Sequence, residues 1–482
     1  MTLLKKVKKA VVWQTIEVVV TIAAQFIYMA IMARILNKED FGLMALANSF
    51  IMFGYIFAES GMGIALIQKK NITIKHINAA LQGGILFGLF LFLIMFSLAP
   101  FIANYFAQQQ LENLIRVIAI NFFVFSISAV SVGILQKEFR FKEKALVIIF
   151  SMILSYGLGI YLGLIGYGVW SLVIAVLLMA ILRTIGYFYF ARIKIIKGFF
   201  FKEWKDLFSF GFGVILLRFA NYIGSNGIHL VLGKIFSPGL LGVFERTYQI
   251  KTIPGTYIGN IIDTVMFPAL SEIQNEDDRL FRIYQQMLGT VNTIFIPAAF
   301  YFIFFSQEIV MILLGQKWPE AVIPLQIMFI ALPLSISVRM ADSVIRAKGL
   351  VYKNAGRKLL YVVVLLLGAG FGAYHYGLIG AAIGVTISYL FNYATMLFLV
   401  RKVFNKKLTE IYFEPLMSGV KLMLILSIIV ISSSTILNLW NTVNVEYFLI
   451  QTLLIGSILF VIGWRKPILL GEYFNAFLSR IK

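Results

Sequence analysis

The chain has 482 residues, of which 60% are hydrophobic and only 13% charged, and its mean hydropathy is +0.89. A soluble protein of this length needs a far larger polar surface, so the composition excludes a soluble globular fold. The formal net charge of +20 is spread over many short segments, which argues against a nucleic-acid partner, and the absence of cysteine excludes disulfides and thiol chemistry.

Apolar segments long enough to cross a bilayer recur along the whole chain. An apolar helix of ~20 residues spans the hydrocarbon core, and about fourteen such segments are predicted. In chain order they occupy residues 10–33, 41–67, 79–99, 112–135, 145–162, 167–190, 208–232, 240–268, 284–304, 321–345, 358–374, 378–400, 416–437 and 446–463. Because the connections are short, the sequence predicts an all-α polytopic membrane protein without an appended soluble domain.

Basic residues alternate between the connections. Every second connection, beginning with the segment before the first span, carries several lysines or arginines. The intervening connections carry only Arg34, Lys38, Lys234 and Lys317. The positive-inside rule therefore predicts a multi-pass protein of the cytoplasmic membrane with both termini in the cytoplasm. Membrane lipids are then ordinary partners of the basic side.

Three motifs of the first half recur in the second half. Residues 33–42 match 233–242 (offset 200), residues 134–137 with 141–142 match 345–348 with 352–353 (offset 211), and residues 163–166 match 377–380 (offset 214). A six-span unit repeated in the same sense gives two lobes related by an axis along the membrane normal. The predicted organisation is an N-lobe (1–206), a C-lobe (207–407), and two extra spans with a cytoplasmic tail (408–482).

Polar side chains follow one face of the first two spans of each lobe, at helical spacing. In the first lobe these stripes carry the carboxylates of Glu17 and Glu59. The corresponding stripes of the second lobe, together with span 10, contain Arg218, Asn221, Glu245, Asp263, Arg339 and Asp342. Span 8 also carries Lys251 and, slightly off its stripe, Arg246. Charged groups at membrane depth are costly unless they pair or meet water. The stripes therefore favour a hydrated cavity between the lobes over interhelical hydrogen bonding alone.

The excess of cations in the second lobe indicates an anionic, phosphorylated substrate, because a guanidinium fork binds two phosphate oxygens at once. The predicted substrate-binding residues are Arg218, Asn221, Arg246, Lys251 and Arg339. Arg339 and Asp342 lie three residues apart, so a structural ion pair is an equally weighted alternative there.

Carboxylates in a low-dielectric cavity can exchange protons or bind Na⁺ during a transport cycle. The coupling candidates are Glu17, Glu59, Asp263 and Asp342. Pro254, Gly255 and Gly259 interrupt span 8 near its middle and predict a hinge for alternating access. The three histidines (His76, His229 and His375) are scattered, so no metal site is predicted.

Four stretches resemble one known family: residues 33–42, 57–63, 267–271 and 314–319. They resemble the bacterial polysaccharide-transporter (Wzx-type) flippases of the MOP superfamily, which also contains MATE drug exporters and lipid II flippases. The resemblance covers nearly the whole chain. It implies a MOP/MATE-like bundle that moves an undecaprenyl-pyrophosphate-linked oligosaccharide (an O-antigen, capsule or exopolysaccharide unit) across the cytoplasmic membrane by alternating access. It also implies a secondary transporter rather than an enzyme, with no cofactor beyond coupling H⁺ or Na⁺. The polysaccharide assembly machinery is a further implied partner.

Two other classes stay open at this point. A MATE-like drug or cation antiporter would depend on the carboxylates and tolerate loss of the arginines. A membrane-embedded polysaccharide polymerase or ligase would need a catalytic group on a sizeable outer loop, and the outer connections here are short. An ATP-driven pump is disfavoured because the chain lacks the Gly-x-x-x-x-Gly-Lys-[Ser/Thr] phosphate loop.

Overall fold

The computed structural model describes residues 3–61, 66, 72–261, 266–436 and 445–465, and these form α-helices joined by short connections, with no β-strand among them. The first eight helices are α1 (Leu3–Ile35), α2 (Lys38–Gly61), α3 (Ile74–Phe106), α4 (Gln110–Ile118), α5 (Ile120–Lys137), α6 (Phe141–Leu164), α7 (Val169–Ala191) and α8 (Phe201–Ile235). The next eight are α9 (Pro238–Ile261), α10 (Phe267–Glu272), α11 (Asp277–Phe304), α12 (Ser306–Leu313), α13 (Val322–Ala347), α14 (Val351–Phe404), α15 (Glu414–Ile436) and α16 (Val445–Arg465). A 3₁₀ turn (Pro319–Ala321) precedes α13, and a π turn (Thr409–Phe413) precedes α15.

The polytopic all-α prediction is confirmed. Within the described ranges, nine helical stretches are long and apolar enough to cross a membrane. The total of about fourteen spans stays a prediction, because parts of several predicted spans lie outside the described residues.

The longest helix, α14, is a hairpin. Backbone angles are non-helical at Tyr376 and Gly377, where φ is +59°. The chain folds back there, and the Ser388 hydroxyl donates a hydrogen bond to the Val364 carbonyl at 3.1 Å. A methyl group at Gly372 would overlap the carbonyl of Gly380, so the two halves pack backbone to backbone. The single 54-residue helix thus contains both predicted spans 358–374 and 378–400.

Two compact units are present, Met1–Gly242 and Val243–Lys482. The first unit therefore includes α8, which the sequence repeat assigns to the C-lobe. The predicted lobes (1–206 and 207–407) stay a prediction, because they describe which helices move together and not which helices touch in one conformation.

The internal repeat is visible in the backbone. In the α5–α6 turn, the Glu138 and Arg140 amides donate to the carbonyls of residues 134 and 135. In the α13–α14 turn, the Lys348 and Leu350 amides donate to those of residues 344 and 345. The structural offset is therefore 210 (138 to 348), and the predicted offset of 211 is wrong by one residue. The sequence comparison matched Lys137 to Lys348 by charge, whereas hydrogen bonding of the turn sets the true register.

The predicted break in span 8 is absent. Helix α9 continues through Pro254 and Gly255 to Ile261. Proline removes one amide donor, and a membrane helix tolerates that loss when the neighbouring bonds persist. The hinge at this position is therefore not supported by the helix geometry.

Candidate functional site

The second unit places Lys251 of α9 in an aromatic environment. This lysine is only 1% exposed, and its ammonium lies 3.3 Å from the ring centroid of Tyr389 on α14. Tyr248 and Tyr361 lie near Tyr389 and act on it electrostatically. Among the described residues, no carboxylate forms an ion pair with Lys251. A buried cation is therefore held by a ring face and not by a counter-charge.

Arg339 of α13 lies close to Lys251 and acts on it electrostatically. A methyl group at Gly259 of α9 would overlap the Arg339 guanidinium, so this glycine creates the space in which the guanidinium rests. Lys251 and Arg339 carry like charges in a partly desolvated region, where their repulsion is stronger than in water.

Asp342 is not the partner of Arg339, so the alternative that these two form a structural ion pair is wrong. Its carboxylate forms an ion pair with Arg346 at 3.0 Å and accepts a hydrogen bond from the Asn354 amide. Arg346 lies one turn further along α13, four residues from Asp342, and this spacing brings the two side chains to the same face.

Sequence reasoning missed Arg357. It lies on α14 and donates hydrogen bonds to the Asn354 side-chain oxygen, at 3.2 Å from Nε, and to the Asn392 carbonyl at 3.1 Å. Arg357 and Tyr361 are one turn apart, and Tyr361 packs against Tyr389 with ring centroids 5.7 Å apart. Arg357 thereby joins the groups around Lys251. We call Lys251, Arg339, Arg357, Tyr248, Tyr361 and Tyr389 the cation cluster.

The surroundings of the cation cluster are also basic. Arg246 is predominantly buried and pairs with Glu245 at 3.9 Å. The cations in and next to the cluster are Arg246, Lys251, Arg339, Arg346 and Arg357, and the carboxylates are Glu245 and Asp342. Five positive and two negative charges leave a net charge of +3 among the described groups. Such a region attracts an anion.

The first unit has a mixed charge cluster around Glu17. The Glu17 carboxylate of α1 lies 3.6 Å from the Lys144 ammonium of α6, and both side chains are less than a fifth exposed. Arg183 and Glu17 both act on the Tyr187 hydroxyl of α7. Glu17, a predicted coupling candidate, is therefore accompanied by two cations, Lys144 and Arg183.

Four predicted site residues cannot be placed. The side chains of Glu59, Arg218 and Asn221, and the whole of Asp263, lie outside the described residues. Lys251 and Arg339 are brought together, whereas Arg246, five residues before Lys251 on α9, pairs with Glu245. Within the part of the chain that the structure covers, no group of three or more His, Cys, Asp or Glu residues is placed to hold a metal ion.

The helical hairpins and the repeated turns define a polytopic, all-helical membrane protein built from an internal repeat. The fold is similar to the lipid II flippase MurJ in an inward closed conformation, with a TM-score of 0.74 and 18% identity, and covers 98% of each chain. It is also similar to an inward-facing multidrug-resistance MATE transporter of the MOP superfamily, with a TM-score of 0.62 and 17% identity, over 82% of this chain and 98% of that one. The predicted MOP-type fold is confirmed.

Sequence comparison gives the family. The profile described as "Polysaccharide biosynthesis protein" matches residues 31–323, and the chain belongs to that family. Among its relatives is the lipopolysaccharide biosynthesis protein WzxC of Escherichia coli (strain K12), which is 24% identical over 400 residues, covering 81% of this chain and 79% of WzxC. The resemblance to Wzx-type proteins is thereby confirmed. Family and fold together place the chain among transporters and not among enzymes.

Proposed function

We propose that this protein is a flippase that moves an oligosaccharide linked to undecaprenyl pyrophosphate across the cytoplasmic membrane by alternating access. The observation that carries the proposal is the cation cluster with its net charge of +3. Lys251 and Arg339 repel each other in a partly desolvated site, and a bound diphosphate would relieve that repulsion. The planar guanidinium of Arg357 or Arg339 can bind two phosphate oxygens, whereas the Lys251 ammonium acts as a point charge.

The family supports the glycan part of the substrate. WzxC is named for lipopolysaccharide biosynthesis, and MurJ is named a lipid II flippase. A lipid-linked oligosaccharide combines a phosphate bridge, a sugar head and an apolar tail. We assign the phosphate bridge to the cation cluster and leave the tail in the bilayer. The polysaccharide assembly machinery is the proposed partner that supplies or receives this lipid, and H⁺ or Na⁺ is the proposed coupling ion.

A MATE-like antiporter of cationic drugs is the competing function, because the fold is shared. The charge balance of the second unit disfavours it. A cationic substrate would add to the repulsion among Arg339, Lys251 and Arg357, whereas an anion reduces it.

The deciding experiment is complementation of a bacterial strain that lacks its own flippase and makes the glycan of this protein's host. Three variants are compared with the unsubstituted protein: Lys251→Gln, Arg357→Gln and Lys358→Gln. Lys358 is the matched control, because it is adjacent to Arg357 but exposed, and it forms no ion pair with a described residue. Surface polysaccharide and the amount of protein in the membrane are measured together.

We expect surface polysaccharide from the unsubstituted protein and from Lys358→Gln, and a large loss from Lys251→Gln and Arg357→Gln at equal protein amounts. Full activity of Lys251→Gln and Arg357→Gln would remove the phosphate role of the cluster. Failure of the unsubstituted protein, combined with drug resistance that Glu17→Gln abolishes, would favour the antiporter.

A further inference from the structure

The connection between α7 and α8 is held in a fixed position against α3. The Asn78 side chain, only 2% exposed, donates to the Lys194 carbonyl at 2.8 Å and accepts from the Ile196 amide at 3.0 Å. One turn along α3, the Gln82 amide donates to the Gly198 carbonyl at 2.6 Å. These three hydrogen bonds fix a non-helical segment at both ends and in the middle, so its side chains have a defined direction.

The two faces of this connection differ. Ile193 and Trp204 pack against the apolar core formed by α3, α5, α6 and α7. On the outer face, Ile195 is 70% exposed, Phe199 is 66% exposed and Phe201 is 60% exposed. The rings of Phe199 and Phe201 stack, with centroids 6.4 Å apart. Large apolar side chains held outward by a rigid backbone mark a surface that is covered by something else.

The same connection is strongly basic. Residues 192–205 contain the cations Arg192, Lys194, Lys197, Lys202 and Lys205 and the single carboxylate Glu203, a net charge of +4 (five minus one). The five cations are exposed, and none of them forms an ion pair with another described residue. We call residues 192–205 the basic connection.

We propose that the basic connection binds anionic phospholipid headgroups at the membrane surface, with Ile195, Phe199 and Phe201 inserted between the lipids. Apolar side chains flanked by lysines and arginines suit the boundary between acyl chains and headgroups. Anionic lipids attract such a segment, and each basic residue near the surface adds to the attraction. The positive-inside pattern predicts that this side of the bundle faces the cytoplasm, where the connection between the two sequence repeats would be anchored to the inner leaflet. This inference does not depend on the proposed substrate.

The chain contains no cysteine, so a single introduced cysteine is the only site at which a thiol-reactive label can attach. This allows a direct test. Phe199→Cys and Ile195→Cys are labelled with an environment-sensitive fluorophore. The full-length protein is placed in vesicles of phosphatidylcholine alone or of phosphatidylcholine mixed with phosphatidylglycerol. Quenching by lipids that carry a spin label on the acyl chain reports insertion. Asn275→Cys is the control, since it lies in another exposed connection on the same predicted side.

We expect quenching at positions 195 and 199 to exceed that at position 275 and to rise several-fold with phosphatidylglycerol. The double change Lys194→Gln and Lys197→Gln should return it to the level of neutral vesicles. These lysines are exposed and unpaired among the described residues, so the fold should persist. Quenching at positions 195 and 199 that is no stronger than at Asn275→Cys would overturn the proposal. Quenching of the same strength in neutral and anionic vesicles, and with and without the lysine changes, would also overturn it. If the label is shielded from solvent only after a soluble cell extract is added, the surface is covered by a protein and the lipid proposal is wrong.

Discussion

At the scale of single residues, Gly259 fixes the position of a cation. Its missing side chain leaves room for the Arg339 guanidinium, and the atoms that would meet a methyl group belong to the flexible end of that side chain. A substitution at Gly259 therefore displaces Arg339 and does not disrupt a backbone. Because the arginine tip can move away, the fold can survive while the site changes.

The first prediction compares Gly259→Ala with Gly255→Ala, one turn apart on α9. At Gly255 a methyl group would have Ser335 as its nearest neighbour, at 3.9 Å, which is ordinary contact. Alanine is favoured over glycine inside a helix by about 1 kcal/mol. Gly255→Ala should keep transport and raise the melting temperature, whereas Gly259→Ala should lose most transport while remaining folded. Melting curves in detergent and the complementation assay measure both. Equal transport in the two variants would contradict a role for the position of Arg339.

At the scale of helices, the Glu17–Lys144 ion pair joins α1 to α6 within the first unit. Both side chains are less than a fifth exposed, so removal of one partner leaves the other charge largely desolvated. Removal of both partners avoids that penalty. The pair can therefore be tested by the difference between single and double changes.

We predict that Glu17→Gln and Lys144→Gln each destabilise the protein more than the double variant does. The coupling free energy of a partly buried pair in contact is about 0.5–3 kcal/mol. Thermal unfolding of the purified single and double variants gives this value. The exposed pair Arg279–Glu276, at 3.2 Å, is the control and should show a coupling near zero. If the single effects simply add up at Glu17 and Lys144, the ion pair does not connect the two helices energetically.

Helices also explain what the sequence could and could not predict. Lys251 and Arg339 were predictable because each lies on a polar face within one span. Arg357 and Lys144 were missed because the predicted spans begin at 358 and 145, whereas the helices begin at Val351 and Phe141. A span predicted from hydropathy begins at the first apolar residues. A charged residue in the first turn of the helix is therefore wrongly assigned to the connection before it.

Tyr389 was missed for a different reason. The α14 hairpin brings it next to Tyr361, and no local pattern predicts a contact between residues separated by a fold-back at Gly377. Helix existence was readable from periodicity, whereas the site depends on how the helices fold back on one another.

At the scale of the whole molecule, the two copies of the opening motif meet each other within the first unit. A methyl group at Gly42 would overlap the Pro238 carbonyl, and one at Gly242 would overlap the Lys38 carbonyl. Positions 38 and 42 correspond to 238 and 242 at the offset of 200, so the contact is reciprocal. The sequence repeat is therefore also a contact, made by the starts of α2 and α9 on the predicted outer side.

Reciprocal backbone contact between two repeats is what closure of a two-lobed transporter requires on one side of the membrane. We predict that Gly42→Val opens this contact, because a carbonyl at a helix start cannot rotate away as a side chain can. Overpacking typically costs about 1–3 kcal/mol. A penalty of that size changes the ratio of two conformations about 5- to 150-fold.

The measurement uses spin labels on Asn37→Cys and Ser237→Cys, which are exposed, equivalent positions of the two motifs in a chain without other cysteines. The unsubstituted protein should give a population with a short distance, and Gly42→Val should shift it to a longer distance with loss of transport. Gly356→Val is the control, since no atom lies within 4 Å of a methyl group there. A short distance and full transport in Gly42→Val would mean that the motif contact is not part of the transport cycle. Its reciprocity would then be a consequence of the repeat alone.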